Sequence, residues 1–171
     1  MTSFPILSLM LAIPAIAAVV CLFLSANSAR WLALAATLAD LVLGVILWLS
    51  FDVGGAQWQF VEYAPLFGRF AWALGIDGFA LLLIALSVFL MPICIGASWQ
   101  AIEKRVPEYM AAFLLTEVLM IGTFAAQDIF LFYIFFEAGL IPMFLIIGIW
   151  GGRTASTRRT SSSFIRCSAR C

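Results

Sequence analysis

Residues 128–152 read DIFLFYIFFEAGLIPMFLIIGIWGG, an apolar stretch with one carboxylic acid, Glu137, near its middle. As a helix rising about 1.5 Å per residue it is long enough to cross a hydrocarbon layer roughly 30 Å thick. An acid at that depth costs roughly 2.5 to 3.5 kcal/mol to insert, so it persists where something stabilises or uses it. Glu137 is therefore the first functional candidate; the competing reading is a protonated glutamic acid that hydrogen-bonds between helices as packing. Pro142 lacks the N–H that would bond the carbonyl of Ala138, which predicts a bend and a free acceptor able to hold a water. Helical spacing places Phe130, Tyr133, Ile134, Leu140, Ile141 and Phe144 around the face of Glu137, mostly apolar walls with one hydroxyl.

The remainder of the chain has the same character. Of 171 residues, 65% are hydrophobic and 11% charged, against about a quarter charged in soluble proteins, so the chain reads as an all-α integral membrane protein. Net charge is zero and no basic stripe precedes the tail, which gives nucleic acid nothing to bind. Histidine is absent, and Cys21, Cys94, Cys167 and Cys171 are scattered without a CxxC spacing, so no iron–sulfur, haem or zinc ligand set is expected.

Five spans follow from the apolar runs, at about residues 4–24, 31–50, 77–97, 108–126 and 128–150, within a transmembrane region of residues 1–150. The first lacks the positive n-region of a secretory signal, leaving cleavage after Ser28 the weaker alternative, and Pro14 is expected only to kink it. Trp31 and Trp48 bracket the second span like interfacial aromatics. Between spans two and three, Gln57, Trp58, Gln59 and Phe60 alternate polar and aromatic, which predicts a short hairpin-like loop on the membrane surface. Asp77, in the sequence Gly-Ile-Asp-Gly, is expected to cap the third helix, and Pro92 to bend it. Gln100 to Pro107, with Glu103, Lys104 and Arg105, reads as a solvated turn.

Two further acids fall within spans. Asp40 is expected to hydrogen-bond to a neighbouring helix or to sit where the helix is turned toward water, rather than to lie on a proton path. Glu117 lies near the centre of span four. The tight connection through Gln127 and Asp128 makes spans four and five antiparallel neighbours, bringing Glu117 to the depth of Glu137. If the two faced one another, like charge and lost hydration would act on them together, as in a proton relay. Counting basic residues, Arg30, Lys104, Arg105 and the five tail arginines oppose Arg69, which predicts the N-terminus outside and the tail in the cytoplasm.

The quoted stretch, together with GIDGFALLLIALSVFL at residues 75–90, closely resembles the antiporter-like proton-translocating subunits of respiratory NADH-quinone oxidoreductase, or complex I, in the wording of subunit M. Mrp-type Na⁺/H⁺ antiporter subunits share the Glu-bearing helix. The resemblance runs from about Phe4 to Gly152 and covers the beginning of a family chain several times longer. It implies a bacterial cytoplasmic membrane and the other membrane-arm subunits of complex I as partners. Glu137 corresponds to the acid that opens a half-channel; from its depth alone, Glu117 is expected to assist by passing protons or by setting the field around Glu137. The hairpin corresponds to one by which adjacent subunits hold each other. NADH, flavin, iron–sulfur clusters and quinone would belong to partner subunits, so the chain would be an enzyme only as part of the translocating complex. The alternatives are a cation/proton antiporter subunit and a non-catalytic truncated membrane fragment.

Beyond Gly152, residues 153–171 bring five arginines among serines and threonines. They read as a disordered basic tail or, as we expect, a frameshift product: with free choice of synonymous codons another frame gives DRVYASYKFFLYTLLGSV, which resembles the family's next helix. The family's membrane lysines are missing, Lys104 being the single lysine, so the chain alone is not expected to pump. Resequencing the gene should reveal an intact downstream frame encoding further membrane helices; finding none refutes the frameshift.

Overall fold

A backbone in hydrocarbon has no water to bond, so apolar runs of this kind close their hydrogen bonds internally as helices. The computed structural model describes residues 5–52, 54–55, 57–67, 70–102 and 104–151. Within them the order is α1 (Ile6–Cys21), α2 (Ala26–Ser50), β1 (Gln59–Phe67), β2 (Phe70–Ile76), α3 (Gly78–Ser98), α4 (Val106–Ala125) and α5 (Ile129–Ile146), which continues as a π-helical turn over Ile147–Gly151. Four helices, α2 to α5, are long and apolar enough to cross a membrane, while α1 is apolar but has only 16 residues. Residues 1–4, Arg69, Glu103 and the tail from Gly152 lie outside the described residues.

Two helix limits differ from the sequence expectation. Helix α1 ends at Cys21 rather than near Leu24, with Leu22–Leu24 forming a turn. Helix α2 begins at Ala26, ahead of Trp31, because nothing from Ala26 to Arg30 breaks a helix; Ser25, in extended conformation, marks the start. Arg30 therefore lies inside α2, and its Nη2 donates to the Ile102 carbonyl at 2.7 Å.

Helix α4 occupies the middle, packed on α1, α2, α3, α5 and β2. Its inward stripe runs Met110, Leu114, Glu117, Ile121, each fully buried and three or four residues apart. Helix α2 meets the interior through Ala29, Ala33, Ala36, Thr37, Asp40, Gly44 and Leu47, a mostly small-residue face of the kind that lets membrane helices approach closely. At Gly44 the approach is closest: a Cβ there would lie 2.8 Å from Val88 Cγ2 of α3.

Two apolar clusters stack along the bundle. One, beside the hairpin, includes Leu7, Leu47, Leu74, Ile84 and Ile121. The other, at the opposite end, includes Cys21, Ala33, Ile95, Met110 and Leu114.

Strands β1 and β2 form an antiparallel hairpin, in register Glu62↔Leu74 and Tyr63↔Ala73, with irregularities after Gln59 and Pro65. Most of it lies beyond the alternating Gln57–Phe60 segment, which only leads into β1; Phe60, at φ 54°, sits in the first irregularity. The hairpin docks on its own chain through Ala73 and Glu62, and Asp77, just past β2, holds the start of the next helix. The Gln127 N–H donates to the Ala73 carbonyl at 3.0 Å, tying in the α4–α5 connection. The Asp77 carboxylate accepts the Ala80 N–H at 2.6 Å, capping α3 as expected. The Glu62 carboxylate accepts the amides of Leu7 and Ser8 at 2.9 and 3.1 Å, and the Ser8 hydroxyl.

This last contact supplies what α1 lacks. Pro5 precedes the helix and offers no side-chain cap, leaving first-turn amides that a carboxylate satisfies at the positive end of the helix dipole. Glu62→Ala should lower stability by about 1 to 2 kcal/mol, the range of a lost helix cap, with a fall in the thermal midpoint of the detergent-solubilised chain. An unchanged midpoint would show that the contact contributes no stability.

Candidate functional site

Besides Glu108 in the first turn of α4, three acids lie deeper within the membrane-spanning helices, and the structure sends them two ways. Helix α5 turns Leu131, Phe135, Gly139, Pro142 and Ile146 toward the bundle, of which Pro142 is buried and the others half-buried. The Phe135 ring lies within 2.7 Å of where a Gly122 Cβ would stand, and a Gly139 Cβ would lie 4.0 Å from Leu119 Cβ. The absence of a side chain at Gly122 is thus what lets the Phe135 ring of α5 come against α4, with Gly139 and Leu119 in ordinary contact beside it.

Glu137 is two residues from both Phe135 and Gly139, or about 200° around the helix from each. It faces away from α4 and is exposed. It lines an open groove of about 890 Å³ with Tyr133, Ile134, Ala138, Ile141 and Phe144. Most of the side chains expected beside it from helical spacing are there, including the single hydroxyl of Tyr133. Ala138, whose carbonyl Pro142 cannot bond, borders the same groove.

Glu117 behaves differently. It is fully buried on the inward stripe of α4, and none of its carboxyl oxygens has a hydrogen-bond partner among the described residues. Glu117 and Glu137, whose facing the sequence left open, do not meet. Pairing Gly122 with Phe135 and Leu119 with Gly139 puts Glu117 level with residues near Ile141, roughly one turn or 5 Å from Glu137, with the two acids on opposite sides of the α4–α5 contact. The connection fixed the antiparallel arrangement correctly, but the rotation of each helix is set by where glycine permits contact.

The acid on the helix packed against this face of the bundle is Asp40, which α2 turns to the interior as α4 does Glu117. Asp40 is itself fully buried, with both carboxyl oxygens unpartnered among the described residues. It neither hydrogen-bonds to a neighbouring helix nor faces water, contrary to the expectation from sequence. The overlooked signal was the small-residue face of α2, since Asp40 continues the Ala29, Ala33, Ala36 spacing and so must point inward with it. No three His, Cys, Asp or Glu side chains gather as a metal site among the described residues.

Fold and buried acids together define a multi-pass membrane protein of helical-bundle type with carboxyl groups inside its spans. The family model described as NADH-ubiquinone oxidoreductase chain 4, amino terminus, matches residues 6–126. The chain belongs to this family. It is 50% identical over 127 residues to NADH-quinone oxidoreductase subunit M of Rhodobacter capsulatus, an alignment covering 74% of this chain and 25% of that protein. It is 39% identical over 179 residues to NADH-ubiquinone oxidoreductase chain 4 of Prototheca wickerhamii, covering 93% of this chain and 34% of that one. The chain thus spans a quarter to a third of the length of these relatives. A solved structure of the membrane-bound sulfane sulfur reductase, an archaeal respiratory membrane complex, has the same fold over 95% of this chain and 34% of its own matched chain, with a TM-score of 0.70 at 22% identity.

The helix rotation is directly checkable. In a background without native cysteines, Leu119→Cys with Gly139→Cys should oxidise readily to a disulfide, because their Cβ separation falls in the bonding range of about 3.5 to 4.5 Å. Glu117→Cys with Glu137→Cys should remain reduced; the opposite pattern on a gel would reverse the assignment of faces.

Proposed function

We propose that this chain supplies amino-terminal helices of a membrane-arm subunit of proton-translocating NADH:quinone oxidoreductase, and that Glu137 is the acid that takes up and releases a proton. The observation that carries this reading is the position of Glu137 on the outward face of α5. It lies in an apolar groove with the Tyr133 hydroxyl, beside the Ala138 carbonyl that Pro142 leaves unbonded. An acid facing bare acyl tails would be strongly disfavoured, so that face suits contact with further protein helices or an internal water path.

In this reading the side chains divide the task. Glu137 exchanges the proton, Tyr133 and the Ala138 carbonyl orient water next to it, and the apolar walls keep bulk water away so that charge elsewhere in the complex is felt strongly. Glu117 acts from the far side of α4 by setting the local field. NADH oxidation, flavin and iron–sulfur electron transfer and quinone reduction are assigned to partner subunits. The membrane is the bacterial cytoplasmic membrane, with Arg30, Lys104 and Arg105 on its cytoplasmic side and the hairpin outside.

The test is Glu137→Gln in the complete subunit, assembled in its complex and assayed in membrane vesicles. The rate of proton pumping should fall about a hundredfold, the lower end for removal of a proton-transferring group, with the complex still assembled on native gels. Unchanged pumping would remove Glu137 from the proton path.

A further inference from the structure

We infer that Asp40 and Glu117 form a second protonatable site, a carboxyl pair that holds and exchanges a proton in the middle of the bundle, independently of Glu137. Both side chains are fully buried, and all four carboxyl oxygens lack a hydrogen-bond partner among the described residues. They come from α2 and α4, which pack against each other, and on α2 Asp40 stands between Ala36 of one apolar cluster and Leu47 of the other. On α4, Glu117 stands between Leu114 of one apolar cluster and Ile121 of the other. The pair therefore occupies the layer where the two clusters meet, remote from either end of the bundle.

No described cation faces this layer. Helices α1, α3 and α5 carry no lysine or arginine. Arg30, on α2, is spent on the Ile102 carbonyl at the end of the bundle. Arg105, at the start of α4, pairs with Glu108 in solvent. Among the acids on packed elements, Glu62 and Asp77 hold helix amides at the hairpin end, Asp128 caps α5, and Glu137 faces outward.

Two unpaired carboxylates enclosed by their own helices are each disfavoured by lost hydration and jointly by repulsion, and with no cation among the described residues facing them a proton is what relieves both. A metal ion fits the site poorly. Hard cations of the calcium type take six or more oxygens, whereas Thr37, one turn before Asp40, donates its hydroxyl to the Ala33 and Leu34 carbonyls of its own helix.

The chemistry balances without a co-reactant. With one proton bound, the O–H of the Glu117 carboxyl breaks as an O–H forms on Asp40, and the pair keeps one negative charge throughout. Uptake of a second proton from water makes the pair neutral, and its release restores the charge. Such a site stores a proton about one helical turn along the bundle from Glu137, and it exists whether or not Glu137 pumps.

Infrared difference spectroscopy of the full chain in lipid nanodiscs tests this at neutral pH. A protonated-carboxyl C=O band should be present, shift in D₂O, and move on separate carbon-13 labelling of glutamate or aspartate. It should weaken or shift in Asp40→Asn and in Glu117→Gln, vanish in the double variant, and survive in Glu137→Gln. No such band in the wild-type chain, its persistence in the folded double variant, or its loss on adding sodium at constant pH would overturn the proposal. The labelled wild-type spectra decide the matter even if a variant fails to fold. Pumping measurements on Glu137→Gln leave this result untouched, so the two readings fail separately.

Discussion

Carboxyl groups do not dissolve in acyl chains, and the way this bundle turns its helices follows from that constraint. Asp40 and Glu117 are enclosed by their own chain, each on the stripe that its helix presents to the interior. Glu137 is turned outward into a groove that the described residues leave open on one side. An acid inside needs a partner that cancels its charge, and an acid outside needs a neighbour that keeps lipid away. The same helices thus carry two acids enclosed by their own chain and one set on an open face.

Close contact between helices does the rest. The hydrophobic effect does not press helices together in lipid, so backbone proximity and dispersion must hold them. Gly44 against Val88 and Gly122 against the Phe135 ring are the points where missing side chains permit it. Polar ties close the two ends without much help from ion pairs. Arg30 and Trp150 reach carbonyls of the α3–α4 connection at one end, and at the other Glu62 and Gln127 fasten the hairpin while Asp77 caps α3. Trp31 and Trp99 meet edge-on at 5.2 Å on the first of these ends, where interfacial aromatics belong.

Much of this was legible from residue order. Apolar run length gave the helices, Asp77 its capping role, and the short link through Gln127 and Asp128 the antiparallel pair α4–α5. The alternation near Trp58 announced a hairpin but misplaced its strands, because bulges break the period just where β1 begins. Rotation was the harder quantity. Helices α4 and α5 are apolar nearly all round, so periodicity does not say which face is inside, and the depth match of Glu117 with Glu137 left open whether the two acids meet. Helix α2 did announce its orientation, through small residues at helical spacing, but Asp40 was judged by its charge instead of by the company it keeps. The long-range cap on α1 had no local signal, since Glu62 lies 55 residues from the amide it serves.

That separation sets an order of events during synthesis. When α1 leaves the ribosome its first amides have no protein acceptor, and the chain must grow by 55 residues before Glu62 exists. At about 5 to 20 residues per second the wait is roughly 3 to 11 seconds. Throughout it, the end of α1 must borrow water or lipid phosphate as its acceptor, so the first helix takes its final place only after the second is threaded and the hairpin has folded back.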